Sequence, residues 1–177
     1  MKVYPLDEQQ QRAFEMLLRK KNERDYVLWM VGSHTGLRVS DIVRLKLSDV
    51  SGHYLRVTEQ KTKKAKEIRI SGKLKKAIND YTRNAGIVSG YLFPSRQNSS
   101  ISIRRVQAII KAAARLLGVE RNINTHSMRK TFAYNLYRLS NNNLALVMQA
   151  LNHSNQAVTL RYLGIDKDMI DNIVALF

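Results

Sequence analysis

The sequence contains no cysteine and only two prolines, and its acidic residues are few beside its basic ones. The absence of cysteine excludes disulfide bonds, thiolate metal ligands and a cysteine nucleophile. The longest strongly apolar run is the six residues 26–31, far short of a membrane span, and residues 1–7 contain no apolar signal core. We therefore expect a soluble, cytoplasmic protein without membrane contact.

The charge is strongly basic and unevenly distributed. The 177 residues include 30 Lys and Arg against 14 Asp and Glu, a net charge of +16, and 44% of them are hydrophobic. This length and apolar content predict one folded domain, and the charge favours a nucleic-acid partner over a basic protein with no dedicated partner. Two basic stretches, 56–83 and 96–121, precede an acidic tail at 163–177, which suggests a division of labour along the chain.

The pattern of apolar residues predicts a mainly α fold with one small antiparallel β-sheet. A first helix begins after Asp7, a second ends at Gly36, and Ser40 or Asp41 caps a short third. The period then changes to that of a hairpin, after which the chain returns to helices. The expected strands are 54–58 and 67–70, the expected loop is 84–100, and the later helices are near 103–117, 127–139, 144–151 and 156–162, followed by an amphipathic tail.

Two arginines are candidates for binding a phosphate. His126 and Arg129 are three residues apart, so on a helix they share one face. An arginine fork beside a titratable donor suits phosphate oxygens, although a solvated His–Arg pair is the simpler interpretation. Arg38 follows the helix end at Gly36, where it either projects from a rigid turn into a site or is an ordinary surface arginine.

The hairpin turn is rich in lysine. Lys61 can donate a proton to a leaving oxygen if its surroundings lower its pKa. Contact with DNA phosphates is the expected role of Lys63, Lys64 and Lys66.

His153 and Tyr162 are nine residues apart and would lie on opposite faces of one straight helix. They can serve one site only if the chain bends between them. Asn152 tolerates the left-handed conformation of a helix end, and Ser154 can cap the next helix. A half-buried core tyrosine is the plain alternative for Tyr162. The four histidines, at 34, 53, 126 and 153, lack the spacing of a zinc site, so we expect no metal.

Taken in order, these segments resemble the catalytic domain of the tyrosine recombinases, the phage-integrase and Xer-like family. The resemblance covers about residues 6–162 and rests on five segments: Thr35-Gly36-Leu37-Arg38-Val39-Ser40-Asp41, the Lys61 turn, His126-x-x-Arg129-Lys130-Thr131-Phe132, Leu151-Asn152-His153-Ser154 and Thr159-Leu160-Arg161-Tyr162. Met128, Lys130 and Asn152 depart mildly from the commonest residues at their positions, and none of them removes a reacting group.

The resemblance implies the roles of the candidate residues. Tyr162 is the expected nucleophile, Lys61 the expected proton donor and Asp41 a bracing residue. The expected phosphate-binding and proton-handling residues are Arg38, His126, Arg129 and His153. The family resemblance further implies that the protein cleaves and rejoins DNA strands through a 3′-phosphotyrosyl intermediate, without a metal, ATP or another cofactor.

The same resemblance predicts the partners and the organisation. We expect double-stranded DNA with an inverted-repeat site and a location in the bacterial cytosol or nucleoid. We also expect a tetramer joined through tail 163–177, with docking of the tail on its own domain as the plain alternative. Residues 1–177 would form one catalytic domain, with 1–162 as its core and without the N-terminal DNA-clamping domain usual in the family. The expected additional DNA contacts are Arg96, Arg104, Arg105 and Lys111.

Three other functions remain open at this point. A type IB topoisomerase would use the same nucleophile to relax DNA, and a non-catalytic DNA-binding regulator could retain the same fold. A nonspecific DNA-packaging protein is disfavoured, because the sequence is aperiodic and rich in core residues.

Overall fold

The computed structural model describes residues 2–97, 99–165, 171 and 174–177. Its elements confirm the expected mainly α fold with one small antiparallel sheet. No helix among the described residues is long and apolar enough to cross a bilayer. In chain order the elements are α1 (Glu8–Lys21), α2 (Glu23–Thr35), α3 (Val39–Ile42), a 3-10 turn (Leu47–Val50), β1 (Tyr54–Thr58), β2 (Ala65–Arg69), α4 (Gly72–Asn84), α5 (Ile103–Leu116), α6 (Thr125–Leu139), α7 (Leu144–Leu151) and α8 (Gln156–Leu163).

Helix α2 forms the centre of the main core and contacts α1, α4 and α6. Its residues 25–33 are all buried, so no polar face remains on this stretch. Asp7 caps α1 as expected, through a reciprocal capping box with Gln10. Gly36 ends α2 in the left-handed conformation, with φ +65°, also as expected.

The predicted cap of α3 is wrong. The helix begins at Val39, and Arg38 occupies the capping position without a side-chain capping bond. Asp41 lies inside the helix, where its Oδ1 accepts a hydrogen bond from the Gln60 backbone N–H at 2.9 Å. The acidic side chain therefore holds the hairpin rather than the helix terminus.

The two strands pair antiparallel, from Tyr54 opposite Arg69 to Thr58 opposite Ala65. The first strand has the expected bounds, whereas the second begins two residues earlier than predicted. The reason is Lys66, which is half-buried and shares the inward positions of β2 with Ile68. A lysine at an inward position interrupts the apolar alternation from which a strand is predicted.

Helices α6, α7 and α8 enclose a second, smaller core of Ala133, Val147, Leu151 and Leu163. Asn152 ends α7 in the left-handed conformation, at φ 54°, and so confirms the predicted break. The cap of α8 is Asn155, whose side chain accepts from the Ala157 N–H, and not Ser154 as expected. Residues 166–170 and 172–173 of the predicted amphipathic tail lie outside the described residues.

Candidate active site

The first catalytic candidate, Arg38, is held by a buried carboxylate. Its Nη1 lies 3.0 Å from Oε1 of Glu59, and the Glu59 side chain has no exposed surface. Glu59 follows β1 directly, so the hairpin and the turn after α2 meet at this ion pair. Sequence reasoning missed Glu59. The available signal was a single acidic residue at the start of a lysine-rich turn.

Arg129 connects the ends of two helices. Its Nη1 donates to the Gly36 carbonyl at 2.5 Å, and its Nη2 donates to the Leu151 carbonyl at 2.8 Å. The guanidinium thus satisfies acceptors at the C-terminal ends of α2 and α7, where a cation is electrostatically favoured. Only 2% of its side chain is exposed, and Oε1 of Glu59 lies 3.9 Å away.

The expected pair of His153 and Tyr162 comes together. The two rings meet edge to face, with centroids 5.3 Å apart and planes inclined at 74°. His153 is fixed by a hydrogen bond between its Nδ1 and Thr159 Oγ1, 3.0 Å long. Tyr162 packs against the second core and interacts with Arg129, while the Lys130 ammonium lies 5.2 Å from its ring centroid.

His126 lies in the first turn of α6, and its side chain is exposed. Its backbone N–H donates to the capping Asn124, so the helix start sets its position. Burial lowers the pKa of its imidazole, and Arg129, Lys130 and Arg38 lower it further. On α6, His126 lies three residues before Arg129, so the two side chains share one face of the helix.

Asp41 is 2% exposed, and its Oδ2 has no hydrogen-bond partner among the described residues. Its Oδ1 accepts the Gln60 N–H, as described above. This contact fixes the start of the turn that carries Lys61. The bracing role that the family resemblance implies for Asp41 stays a prediction.

The structure does not bring Lys61 into the arginine cluster. Lys61 lies in the hairpin turn with its side chain exposed. The lysine inside the cluster is Lys66, whose Nζ donates to the Ala150 carbonyl at 2.6 Å. Burial lowers the pKa of Lys66, and the nearby Arg129 and Arg38 lower it further, against the opposing effect of Glu59. The expected contact of Lys66 with DNA phosphate stays a prediction, and in the structure its side chain is half-buried and bonded to α7.

The electrostatics of the site reflect crowded cations. Burial lowers the pKa of Arg129, and Arg38 adds to this effect, while Tyr162 and Glu59 oppose it. Burial lowers the pKa of His153 to about 4, with Arg129, Arg38 and Lys66 contributing in the same direction. His153 is consequently neutral near pH 7, and the arginines supply the positive charge.

The remaining basic candidates lie on the surface. They are exposed on the hairpin turn, on the loop before α5 and on α5 itself, at Lys63, Lys64, Arg96, Arg104, Arg105 and Lys111. Exposure leaves them accessible to a phosphate backbone, and their contacts with DNA stay predictions.

Solved structures share this fold. This chain matches the crystal structure of XerA recombinase with a TM-score of 0.80 and 20% sequence identity. The match covers 99% of this chain and 65% of the XerA chain. The chain matches XerH site-specific recombinase bound to palindromic difH substrate, in a post-cleavage complex, with a TM-score of 0.78 and 17% identity over 99% of this chain and 53% of that one. It also matches a lambda integrase dimer bound to a COC′ core site, with a TM-score of 0.75 and 18% identity over 94% of this chain and 60% of that one. The fold is therefore that of a tyrosine recombinase catalytic domain.

Sequence relatives lead to the same class. The chain is 41% identical over 153 residues to a Bacillus subtilis (strain 168) protein named "Probable integrase/recombinase YoeC", covering 85% of this chain and 83% of that protein. It is 31% identical to a tyrosine recombinase of Pseudothermotoga lettingae, over 86% of this chain and 54% of the relative. It is 30% identical to tyrosine recombinase XerC of Caldanaerobacter subterraneus, over 86% of this chain and 44% of that protein. The chain thus spans about half the length of these two longer relatives.

A model of the Phage integrase family matches residues 6–169 of this chain. The chain belongs to this family of tyrosine site-specific recombinases. Relatives named as integrases and recombinases do not favour the topoisomerase or the regulator considered above.

Proposed function

We propose that this domain cleaves and rejoins double-stranded DNA at a specific inverted-repeat site, with Tyr162 as the nucleophile. The single observation that carries the proposal is the cluster around this side chain. Tyr162 contacts the ring of His153 and interacts with Arg129, and both Tyr162 and His153 are positioned by α7, α8 and the break between them. A phenol beside two phosphate-binding arginines is suited to covalent phosphoryl transfer.

In the first step, the Tyr162 oxygen attacks a DNA phosphorus. The new bond joins that oxygen to the 3′-phosphate, and the bond from phosphorus to the 5′-oxygen breaks. Arg38 and Arg129 bind the non-bridging oxygens, where negative charge spreads in the transition state. His126 assists removal of the tyrosine proton, and neutral His153 donates a hydrogen bond to the phosphate.

The departing 5′-oxygen needs a proton. The family resemblance assigns this role to Lys61, which lies exposed in the hairpin turn. Lys66 is a second candidate because burial and the nearby Arg129 and Arg38 lower the pKa of its ammonium. In this proposal Lys61 is the acid, and Lys66 holds the hairpin on α7 through the Ala150 carbonyl.

In the second step, a 5′-hydroxyl from a partner strand attacks the phosphotyrosyl phosphorus and releases Tyr162. Because the phosphotyrosyl bond conserves the energy of the broken diester, the exchange requires no ATP. The protein's own cations supply the charge stabilisation, so we propose no metal or other cofactor.

We extend the proposal to assembly and location. Four copies would act together on the DNA, joined through tail 163–177, in the bacterial cytosol or nucleoid. Deletion of residues 165–177 should abolish higher-order complexes on DNA in a gel-shift experiment. Unchanged assembly after deletion would contradict exchange of the tail.

Covalent trapping tests the function. A nicked suicide substrate loses the short strand after cleavage and leaves the protein attached to DNA. We expect adducts from the native chain and none from Tyr162→Phe, which should bind DNA with unchanged affinity. The matched control is Tyr134→Phe, which changes a tyrosine of α6 outside the cluster and should form adducts normally.

A further inference from the structure

The hairpin contributes a carboxylate, Glu59, that none of the roles above uses. Its side chain is entirely buried, yet it lies among three cations, Arg38, Lys66 and Arg129. Buried carboxylates are rare unless their oxygens are paired. Both oxygens of Glu59 are engaged, and the partners come from different parts of the site.

Oε1 faces the arginines, 3.0 Å from Nη1 of Arg38 and 3.9 Å from Nη1 of Arg129. Oε2 accepts a hydrogen bond from the Thr62 hydroxyl at 2.8 Å, in the turn directly after Lys61. Oε2 also accepts from the Asn152 amide at 3.4 Å, next to His153. One carboxylate thus contacts the first arginine, the lysine turn and the α7–α8 break.

The charges support the same assignment. Glu59 raises the pKa of Lys66 and of Arg129, against the cations that lower both, so its negative charge stabilises the charged forms that a phosphate requires. Burial would raise the pKa of Glu59, but bonds from Thr62 and Asn152 and the charges of Arg38 and Lys66 lower it overall. The carboxylate is therefore ionised near pH 7. Its full burial keeps Glu59 out of direct contact with a bound DNA.

We propose that Glu59 is a positioning residue for strand cleavage: it holds Arg38 toward the scissile phosphate and fixes the Lys61 turn and the His153 segment relative to it. This inference rests on the proposed function. It predicts that loss of the Glu59 charge slows the chemical step while DNA binding changes little. Each charge-assisted hydrogen bond removed from such a site corresponds to a fall of about 10- to 100-fold in rate.

The test compares Glu59→Gln with Glu67→Gln in single-turnover cleavage of a nicked suicide substrate. Glu67 is the matched control, because it lies on the same hairpin in an exposed ion pair with Arg56 at 2.7 Å. We expect Glu59→Gln to cleave about 10- to 100-fold more slowly and Glu67→Gln to cleave within about twofold of the native rate. Equal rates for the two variants would overturn the proposal, while native adducts would leave the proposed function intact.

A second substrate separates positioning from general damage to the fold. A neutral methylphosphonate at the scissile position needs less of the arginine charge, so the penalty of Glu59→Gln should shrink to below about threefold. The same penalty on both substrates would overturn the proposal. If Glu59→Gln does not fold, Thr62→Val removes only the turn's hydroxyl and should slow cleavage of the phosphate substrate by about 3- to 10-fold. An unchanged rate for Thr62→Val would then contradict it.

Discussion

The imidazole of His153 meets the ring of Tyr162 edge to face, with ring centroids 5.3 Å apart. His153 follows the end of α7 and Tyr162 lies in the last turn of α8, so the contact depends on the left-handed turn at Asn152 between the two helices. Burial and neighbouring cations keep this imidazole neutral near pH 7. Tyr162, the proposed nucleophile, is therefore in contact with a neutral imidazole and interacts with Arg129.

Acid should destabilise the fold through its histidines. The pKa of His153 is lowered to about 4, so between pH 6.5 and 4 the unfolded chain binds more protons than the folded one. We expect the free energy of unfolding to fall as pH decreases through this window, by less than about 1.4 kcal/mol per pH unit for this histidine. Urea denaturation at several pH values measures the slope, which should become shallower in His153→Gln. An identical slope in the variant would contradict the account.

Position 36 should require glycine for two reasons, its positive φ and the Phe132 ring beside it. A Cβ at position 36 would collide with the Phe132 ring, whereas a Cβ at Gly86, with a similar φ of +64°, meets nothing within 4 Å. Gly86→Ala should cost about 1 kcal/mol of unfolding free energy, from backbone strain alone. Gly36→Ala should cost at least about 2 kcal/mol more, since the clash adds to the strain. Chemical denaturation checks both, and equal losses would show that α2 and α6 accommodate the added methyl.

The two lysine candidates differ in their response to the leaving group. Lys61→Ala should slow cleavage by about 10²- to 10⁴-fold, and recover to within about tenfold on DNA with a 5′-bridging sulfur, which needs little protonation. Lys66→Ala should also slow cleavage, because it releases the hairpin from the Ala150 carbonyl. Its cleavage rate should not recover on the DNA with a 5′-bridging sulfur. Single-turnover rates on both substrates decide the matter. Recovery confined to Lys66→Ala would transfer the acid role to that residue.

Helix α5 should contribute to DNA affinity through Arg104 and Arg105, both of which are exposed. Removing two phosphate contacts with the Arg104→Gln, Arg105→Gln double variant should reduce the slope of log affinity against log salt by about 1.8, or 0.9 per contact. The control is Lys20→Gln with Lys21→Gln, an equal loss of exposed charge at the end of α1. A salt titration that gives the same slope for both double variants would assign no specific role to α5.

Much of this molecule could be predicted from its sequence, because the strongest signals are local. The caps at Asp7, Gly36 and Asn152 and the bounds of β1 follow from residue chemistry within a few positions. The pairing of His153 with Tyr162 required only that the chain break between them.

The interior of the site could not be predicted in the same way. Glu59 and Lys66 belong to a segment whose sequence predicts a solvated, lysine-rich turn. In the structure Glu59 is buried against Arg38, and Lys66 is half-buried against α7. Their partners are up to 93 residues away in the sequence. Periodicity describes one element at a time and contains no information about such contacts.

The most direct test of the central claim is to identify the residue that becomes attached to DNA. The chain contains eight tyrosines, so the covalent adduct on a suicide substrate can be digested and sequenced by mass spectrometry. We expect one peptide, with the 3′-phosphate on Tyr162 and on no other tyrosine. A phosphate linkage to any other side chain would contradict the assignment of the nucleophile and, with it, the mechanism built on Arg38, Arg129 and His153.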